Sequence, residues 1–260
     1  MNNPATSDVD APWVRIEHRG EVAWLFLNRP TKYNALSTAM LGALIDALAV
    51  LAREPATRVI VLAADGKAFS AGHDLTEMGA DRSVDDFRGL FARCSELMLA
   101  IQRQPQPVIA RVQGIATAAG CQLVAMCDLA VASSNARFAV SGINLGLFCA
   151  TPSVPLSRNV PRKQAMEMLL TGEFIDAATA RERGLVNRVV APELLDAEVD
   201  RLAASIAAKS PAAVAAGKQL FYRQLEMGTE AAYLAAGEAM ACNAVMDDAR
   251  KGIGQFTKRG

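Results

Sequence analysis

The chain has 260 residues, with 27 Lys and Arg balanced by 27 Asp and Glu, so its net charge is zero. Hydrophobic residues make up 52% and charged residues 21%, which excludes an intrinsically disordered chain and a nucleic-acid surface built on basic excess. Aromatics contribute only 5%, so Ala, Leu, Val, Ile and Met must build the core, and a chain this long buries roughly 70–75% of its unfolded surface.

Residues 1–12 lack a basic start and an apolar run, so a loose tail is expected rather than a signal peptide. Val14, Ile16 and His18 alternate with Arg15, Glu17 and Arg19; after Gly20 comes the apolar run 22–27. This predicts a hairpin of one amphipathic and one buried strand, with His18 at the surface. Ser37 is a natural N-cap for a helix carrying Leu41, Leu44, Ile45, Leu48 and Leu51. A buried strand at 59–63 and a Gly-containing loop at 65–73 follow. Phe87, Leu90, Phe91, Cys94, Leu97, Met98 and Ile101 make a helical stripe that Pro105 and Pro107 stop. Strands are expected at 108–112, 129–132 and 137–140, with a turn of small residues at 116–120 leading to a helix around 123–126.

After Arg158 the pattern turns helical, at 162–170, 177–183, 192–208, 211–224 and 229–246, with Gly172 and Gly184 as helix stops. Only 185–190 reads as extended. Short strands separated by helices define an α/β core of mainly parallel pairing over about the first 160 residues. The segment 115–132 contains Gly120, Gln122 and Asp128 and is rejected as a membrane span. Asp128, between a helix and a strand, reads as a structural hydrogen-bond acceptor. Five cysteines, an odd number without metal-ligand spacing, point to a reduced, cytoplasmic protein with no metal site.

Three segments can carry chemistry. In 66–75, a glycine after a strand lets backbone approach a ligand closely. In 113–122, a run of tiny side chains opens a helix whose first N–H groups can hold an anion or a developing oxyanion. The third, 140–149, is a glycine-punctuated loop before the helical part.

In order along the chain, Asn28-Arg29-Pro30, Asn34-Ala35-Leu36, Ala68-Phe69-Ser70-Ala71-Gly72-His73-Asp74-Leu75, Ala119-Gly120-Cys121-Gln122-Leu123, Cys127-Asp128-Leu129-Ala130, Thr171-Gly172, Gly184-Leu185-Val186 and Phe256 with Lys258-Arg259 resemble the crotonase superfamily, the enoyl-CoA hydratase/isomerase family. Ala118 to Ala125 and Gly146 to Cys149 resemble its enoyl-CoA hydratase domain-containing subgroup. The resemblance implies an α/β fold: a tail at 1–12, a spiral ββα core at 13–195 and a C-terminal helical region at 196–260 that builds homotrimers or dimers of trimers. It implies acyl-CoA thioesters as ligands, with coenzyme A part of the substrate and no separate cofactor. It also implies an oxyanion hole from the backbone N–H groups of His73 and Ala119. The His73 imidazole is then expected near CoA or solvent. Lys32, Tyr33, Ala35, Ala71, Asp74 and Leu75 would lie along CoA, joined by Phe256 and Arg259.

The chain departs from that pattern at its acids. The two glutamates that hydratases of the family use fall at Gln122 and Gly142, and a further acid position falls near Ala150. An amide cannot take up a proton near neutral pH, so hydration of an enoyl thioester is expected to be weak or absent. Glu77, Asp74 and Asp81 are the first candidates for a substitute acid. Two other readings stand beside a hydratase-like lyase or isomerase. One is a malonyl-type-CoA decarboxylase with Gln122, Asn144 or Cys149 orienting the carboxylate; the tyrosine of that branch is replaced by Cys149. The other is a non-catalytic acyl-CoA binder.

Overall fold

The structure, a computed structural model, describes residues 11–79 and 81–258. The expected tail therefore lies outside the described residues up to position 10, as does Arg259. Strands β1 (Val14–Arg19) and β2 (Val22–Leu27) form the predicted antiparallel hairpin, and His18 is exposed. Helix α1 (Thr38–Leu51) follows, with the Ser37 hydroxyl accepting the Met40 N–H at 3.2 Å. Three further turns of chain repeat one plan. They are β3 (Val59–Ala64), β4 (Ala68–Ser70) and α2 (Val84–Arg103); β5 (Val108–Val112), β6 (Ile115–Thr117) and α3 (Ala119–Met126); and β7 (Leu129–Ser133), β8 (Arg137–Ala139) and α4 (Ala150–Asn159). Then come α5 (Arg162–Thr171), β9 (Ile175–Asp176), α6 (Ala177–Glu182), β10 (Arg188–Val190), α7 (Leu195–Ala207), α8 (Pro211–Gln224), α9 (Thr229–Ala244) and α10 (Asp247–Thr257).

In these three turns the first strand joins the sheet of the hairpin, in the order β1-β2-β3-β5-β7-β10, and the second joins another, β4-β6-β8-β9. From β2 to β10 the first sheet is parallel, as is β4-β6-β8 in the second. Each turn thus lays one strand on each sheet before its helix, which is the ββα spiral. Both faces of β2 are covered. Ala23, Leu25 and Leu27 enter the main core, whereas Val22, Trp24 and Phe26 pack with Val61, Ile109 and Val131 against Leu195, Val199, Leu202 and Ala203 of α7. That explains a strand with no polar face.

Several boundaries differ from expectation. The loop expected at 65–73 contains β4, and the turn expected at 116–120 shrinks to Ala118 alone, because β6 runs through Thr117 and α3 starts at Ala119. The helix was expected only from about 123, since the tiny residues at its start carry no apolar periodicity. Two helices escaped the pattern. Helix α4 holds Pro152 and Pro155 in a polar stretch, and both prolines are buried; α10 carries Gly252 and Gly254. Pro152 falls in the first turn of α4, where its missing N–H has no intrahelical partner, whereas Pro155 lies inside the helix.

Asp128 is the structural acceptor expected of it. Its carboxylate takes the Val108 N–H and the Lys218 ammonium at 2.7 Å each, and the Tyr222 hydroxyl at 2.8 Å. Lys218 also donates to the carbonyls of Ile101 and Gln106. Burial pushes the Lys218 pKa down, while Asp128 pulls the other way. This cluster fastens α8 to the spiral. Removing one partner of a buried pair leaves the other charge uncompensated, so Lys218→Met is expected to cost about 3–5 kcal/mol. Thermal unfolding checks this; an unchanged midpoint would mean that α8 is held by something else.

Candidate functional site

The site begins with a buried asparagine. Asn34 is fully buried in the left-handed region at φ 52°. Its side-chain oxygen accepts the Arg29 N–H, and its amide donates to the carbonyls of Asp65 and Ala68 at 2.8 and 2.9 Å. The Ser70 hydroxyl closes the ring by donating to the Asn34 carbonyl. The loops after β2 and β3 and the strand β4 are therefore tied at one point. From there two segments run side by side: Ala71 N–H donates to Tyr33 O, Leu36 N–H to Gly72 O at 2.7 Å, and Asp74 N–H to Leu36 O.

This pattern sets the direction of the His73 amide. In a parallel bridge, Leu36 bonds the residues on either side of its partner, so the N–H of His73 points away from Leu36. Gly72, at φ +90°, makes the turn; a Cβ there would lie 2.9 Å from Ala118 Cβ and 3.1 Å from Ala119 N. Ala118 sits at φ 50°, ψ −121°, a strained backbone for a residue with a Cβ. Its N–H donates to Ala139 O, and its carbonyl accepts from Gln122 N–H. The strained residue turns β6 directly into α3, so Ala119 N–H is one of the helix-start donors without an intrahelical partner. Gly120 seals the approach: a Cβ there would lie 2.3 Å from Ser70 O. The amides of His73 and Ala119 are thus neighbours.

Gln122 is one turn into α3 and 3% exposed, with its Oε1 4.0 Å from Cys94 Sγ of α2. Gly142 comes beside Ala118 because the Thr117 and Ser141 hydroxyls are hydrogen-bonded at 2.8 Å. The space a side chain at Gly142 would need is already taken. A Cβ would lie 2.7 Å from Leu147 O and 2.8 Å from Cys149 Sγ, and the Gly142 N–H donates to that sulfur at 3.3 Å. Burial raises the Cys149 pKa, the Gly142 amide opposing it, and raises that of Cys94 to about 12. These thiols stay protonated and are poor nucleophiles.

Asn144 turns away, its amide 3.5 Å from Gly172 O. The substitute acids are also engaged or remote. Glu77 accepts the Thr38 N–H and hydroxyl at 2.8 Å, Asp74 accepts the N–H and hydroxyl of Thr76, and Asp81 is exposed. Lys32, Tyr33, Ala71 and Leu75 are exposed along the zipped segments, with Ala35 and Asp74 half-buried beside them. Phe256, on α10, is 82% exposed.

The His73 side chain is half-buried, and both of its ring nitrogens are buried without a well-formed hydrogen bond. The ring stands edge-on against Phe91 of α2, with centroids 5.6 Å apart. Burial lowers its pKa. The sequence carried no signal for this packing beyond the apolar stripe of α2. Two cavities lie apart from these amides. One of about 300 Å³ is lined by Arg53, Pro105, Ile206 and Pro211, and another of about 270 Å³ by Thr38, Glu77, Phe87 and Arg93. Among the described residues no cluster of His, Cys, Asp and Glu could hold a metal ion, and no helix is long and apolar enough to cross a membrane.

Fold and site define a crotonase-type protein, and residues 17–260 match the enoyl-CoA hydratase/isomerase family. The chain belongs to that family. It is 43% identical to mouse enoyl-CoA hydratase domain-containing protein 3, mitochondrial, over 98% of this chain and 85% of that protein. A crystal structure of an enoyl-CoA hydratase from Mycobacterium smegmatis superposes with a TM-score of 0.94 at 58% identity, covering 96% of this chain and 97% of that one. Human enoyl-CoA hydratase domain-containing protein 3 superposes with a TM-score of 0.92 at 42% identity, covering 95% and 98%.

The packing at Gly120 and Gly142 is directly testable. Gly120→Ala must displace the Ser70 backbone and is expected to cost about 1–3 kcal/mol or more. Gly142→Glu is expected to lower the unfolding midpoint more than Gln122→Glu does, because its Cβ meets backbone. Equal midpoints for the two glutamate variants, read by thermal denaturation, would contradict the closed loop.

Proposed function

We propose that the protein binds acyl-CoA thioesters and stabilises the thioester enolate with the amides of His73 and Ala119. The observation that carries this is the close approach of the Gly72–His73 turn to the start of α3. The helix dipole adds positive potential at Ala119, and preorganised N–H donors in a water-poor site favour an oxyanion over a neutral carbonyl. Lys32, Tyr33, Ala35, Ala71, Asp74 and Leu75 form the surface that would take the CoA moiety, joined by Phe256 and Arg259 from a neighbouring subunit. The exposed Tyr233, Leu234, Met240 and Phe256 of α9 and α10 favour self-association as a homotrimer or a dimer of trimers.

Hydration needs a proton moved at C2 and water activated at C3. Neither Gln122 nor Gly142 can do this, and the filled space at Gly142 leaves no room for a carboxylate. A second reading follows. Decarboxylation of a malonyl-type thioester needs an oxyanion hole but no base: the C–C bond pair left behind as CO₂ departs becomes the enolate, which then takes a proton from solvent. A reducing compartment suits the five free cysteines, four of them buried; the sequence reading places it in the cytoplasm, whereas the mouse relative is named as mitochondrial.

Two measurements test this. Crotonyl-CoA hydration is expected to fall well beyond the ~10²–10⁴-fold attributed to one acid or base, while calorimetry shows acyl-CoA binding; ordinary hydratase turnover would refute the role of the missing glutamates. CO₂ release from malonyl-, methylmalonyl- or ethylmalonyl-CoA decides the second reading, and turnover of none of these alongside tight binding makes the protein a binder. Sedimentation is expected to give three or six chains.

A further inference from the structure

We propose that the His73 imidazole carries the proton to and from the α-carbon of the bound thioester, a duty the missing glutamates leave open. This rests on the thioester-binding reading above. The first observation is that both ring nitrogens are buried without a well-formed hydrogen bond, although the Leu36 backbone acts on the ring. A buried donor and a buried acceptor without partners are costly in a folded protein, and a phenylalanine could fill the same space at no such cost. Packing alone therefore does not account for an imidazole here.

The second observation is its position. The ring lies against Phe91, and the Gln122 carboxamide lies against Cys94. Phe91 and Cys94 are three residues apart on α2, so they occupy one face about 5–6 Å from each other. The imidazole and Gln122, the place of the first family glutamate, thus pack against α2 residues one helical turn apart. The imidazole belongs to the same residue whose amide would hold the thioester oxygen, which keeps the ring within reach of the adjacent carbon. Its protonation state fits. Burial lowers the pKa of the ring, and the Leu36 backbone and Glu77 oppose this only in part.

The step balances without a co-reactant. The neutral ring nitrogen takes the α-proton. The C–H electron pair becomes the enolate double bond, and the carbonyl π pair moves to the oxygen held by the two amides. Return of the proton from the imidazolium reverses each movement. Every substitution at His73 keeps the backbone N–H, so the ring can be removed without removing the oxyanion donor.

The test follows deuterium. Octanoyl-CoA is incubated with the full chain in D₂O, α-deuteration is read by mass spectrometry, and binding is read by calorimetry. The wild type is expected to exchange the α-protons. His73→Phe and His73→Gln are expected to bind as the wild type does and to exchange roughly 10²–10⁴-fold more slowly. Should His73→Phe not fold, His73→Gln, which retains a polar group, decides the matter. Undiminished exchange in the variants overturns the assignment, as does a wild type that binds octanoyl-CoA without exchanging it; in both cases thioester binding stands. Absence of binding by the wild type overturns both readings together.

Discussion

A methyl group on Gly120 would lie 2.3 Å from the Ser70 carbonyl oxygen. That backbone-on-backbone contact between the end of β4 and the start of α3 is the constraint on which the site depends. It brings the Gly72–His73 turn against Ala118 and Ala119. It also explains why a strained Ala118 is tolerated: its N–H is held by Ala139 O and its carbonyl by Gln122 N–H, so neighbouring turns of the spiral over-determine its conformation. Two amides that are 46 residues apart in the chain become neighbours because no side chain stands between them.

The spiral supplies the force that keeps this contact closed. Each turn buries one strand in each sheet, and the large core on one side and α7 on the other leave the strands no freedom to slide. Local ties then set the loops. Asn34 satisfies three backbone groups, from the loops after β2 and β3 and from β4, with one buried carboxamide, and Asp128 joins α8 to the start of β5. In both places a short polar side chain meets backbone groups that no strand or helix could pair, which is the condition for burying loops at all.

The site's chemistry is shaped by what fills the acid positions. Replacing glutamate by glycine in an unchanged loop would leave a hole for water. Here Leu147 O and Cys149 Sγ occupy that volume, so the loop is built around the glycine. Gln122 likewise rests on Cys94 within the core. Neither position therefore offers a carboxylate to the two neighbouring amides. The thiols of Cys94 and Cys149 pack there too, and the His73 ring nitrogens are buried without a well-formed hydrogen bond.

Much of this was legible in the sequence. Periodicity marked the hairpin, α1, α2 and most of the C-terminal helices, because an apolar stripe repeating along a helix or strand is local information. Ser37, Gly172 and Gly184 act at the helix ends where their chemistry suggested, and the ordered motifs carried the family. The start of α3 and the whole of α4 were not legible, since tiny residues and buried prolines show no periodicity. The inward turn of His73, the ring of bonds around Asn34 and the closure over Gly142 were equally hidden. Each depends on contacts between residues tens of positions apart. The sequence by itself determined which groups the protein possesses: two glycine-containing turns, with amide and glycine at Gln122 and Gly142. Only the tertiary structure decided that the space at Gly142 is filled and that the ring nitrogens of His73 are buried, because van der Waals contact and desolvation arise from neighbours in space, not in sequence.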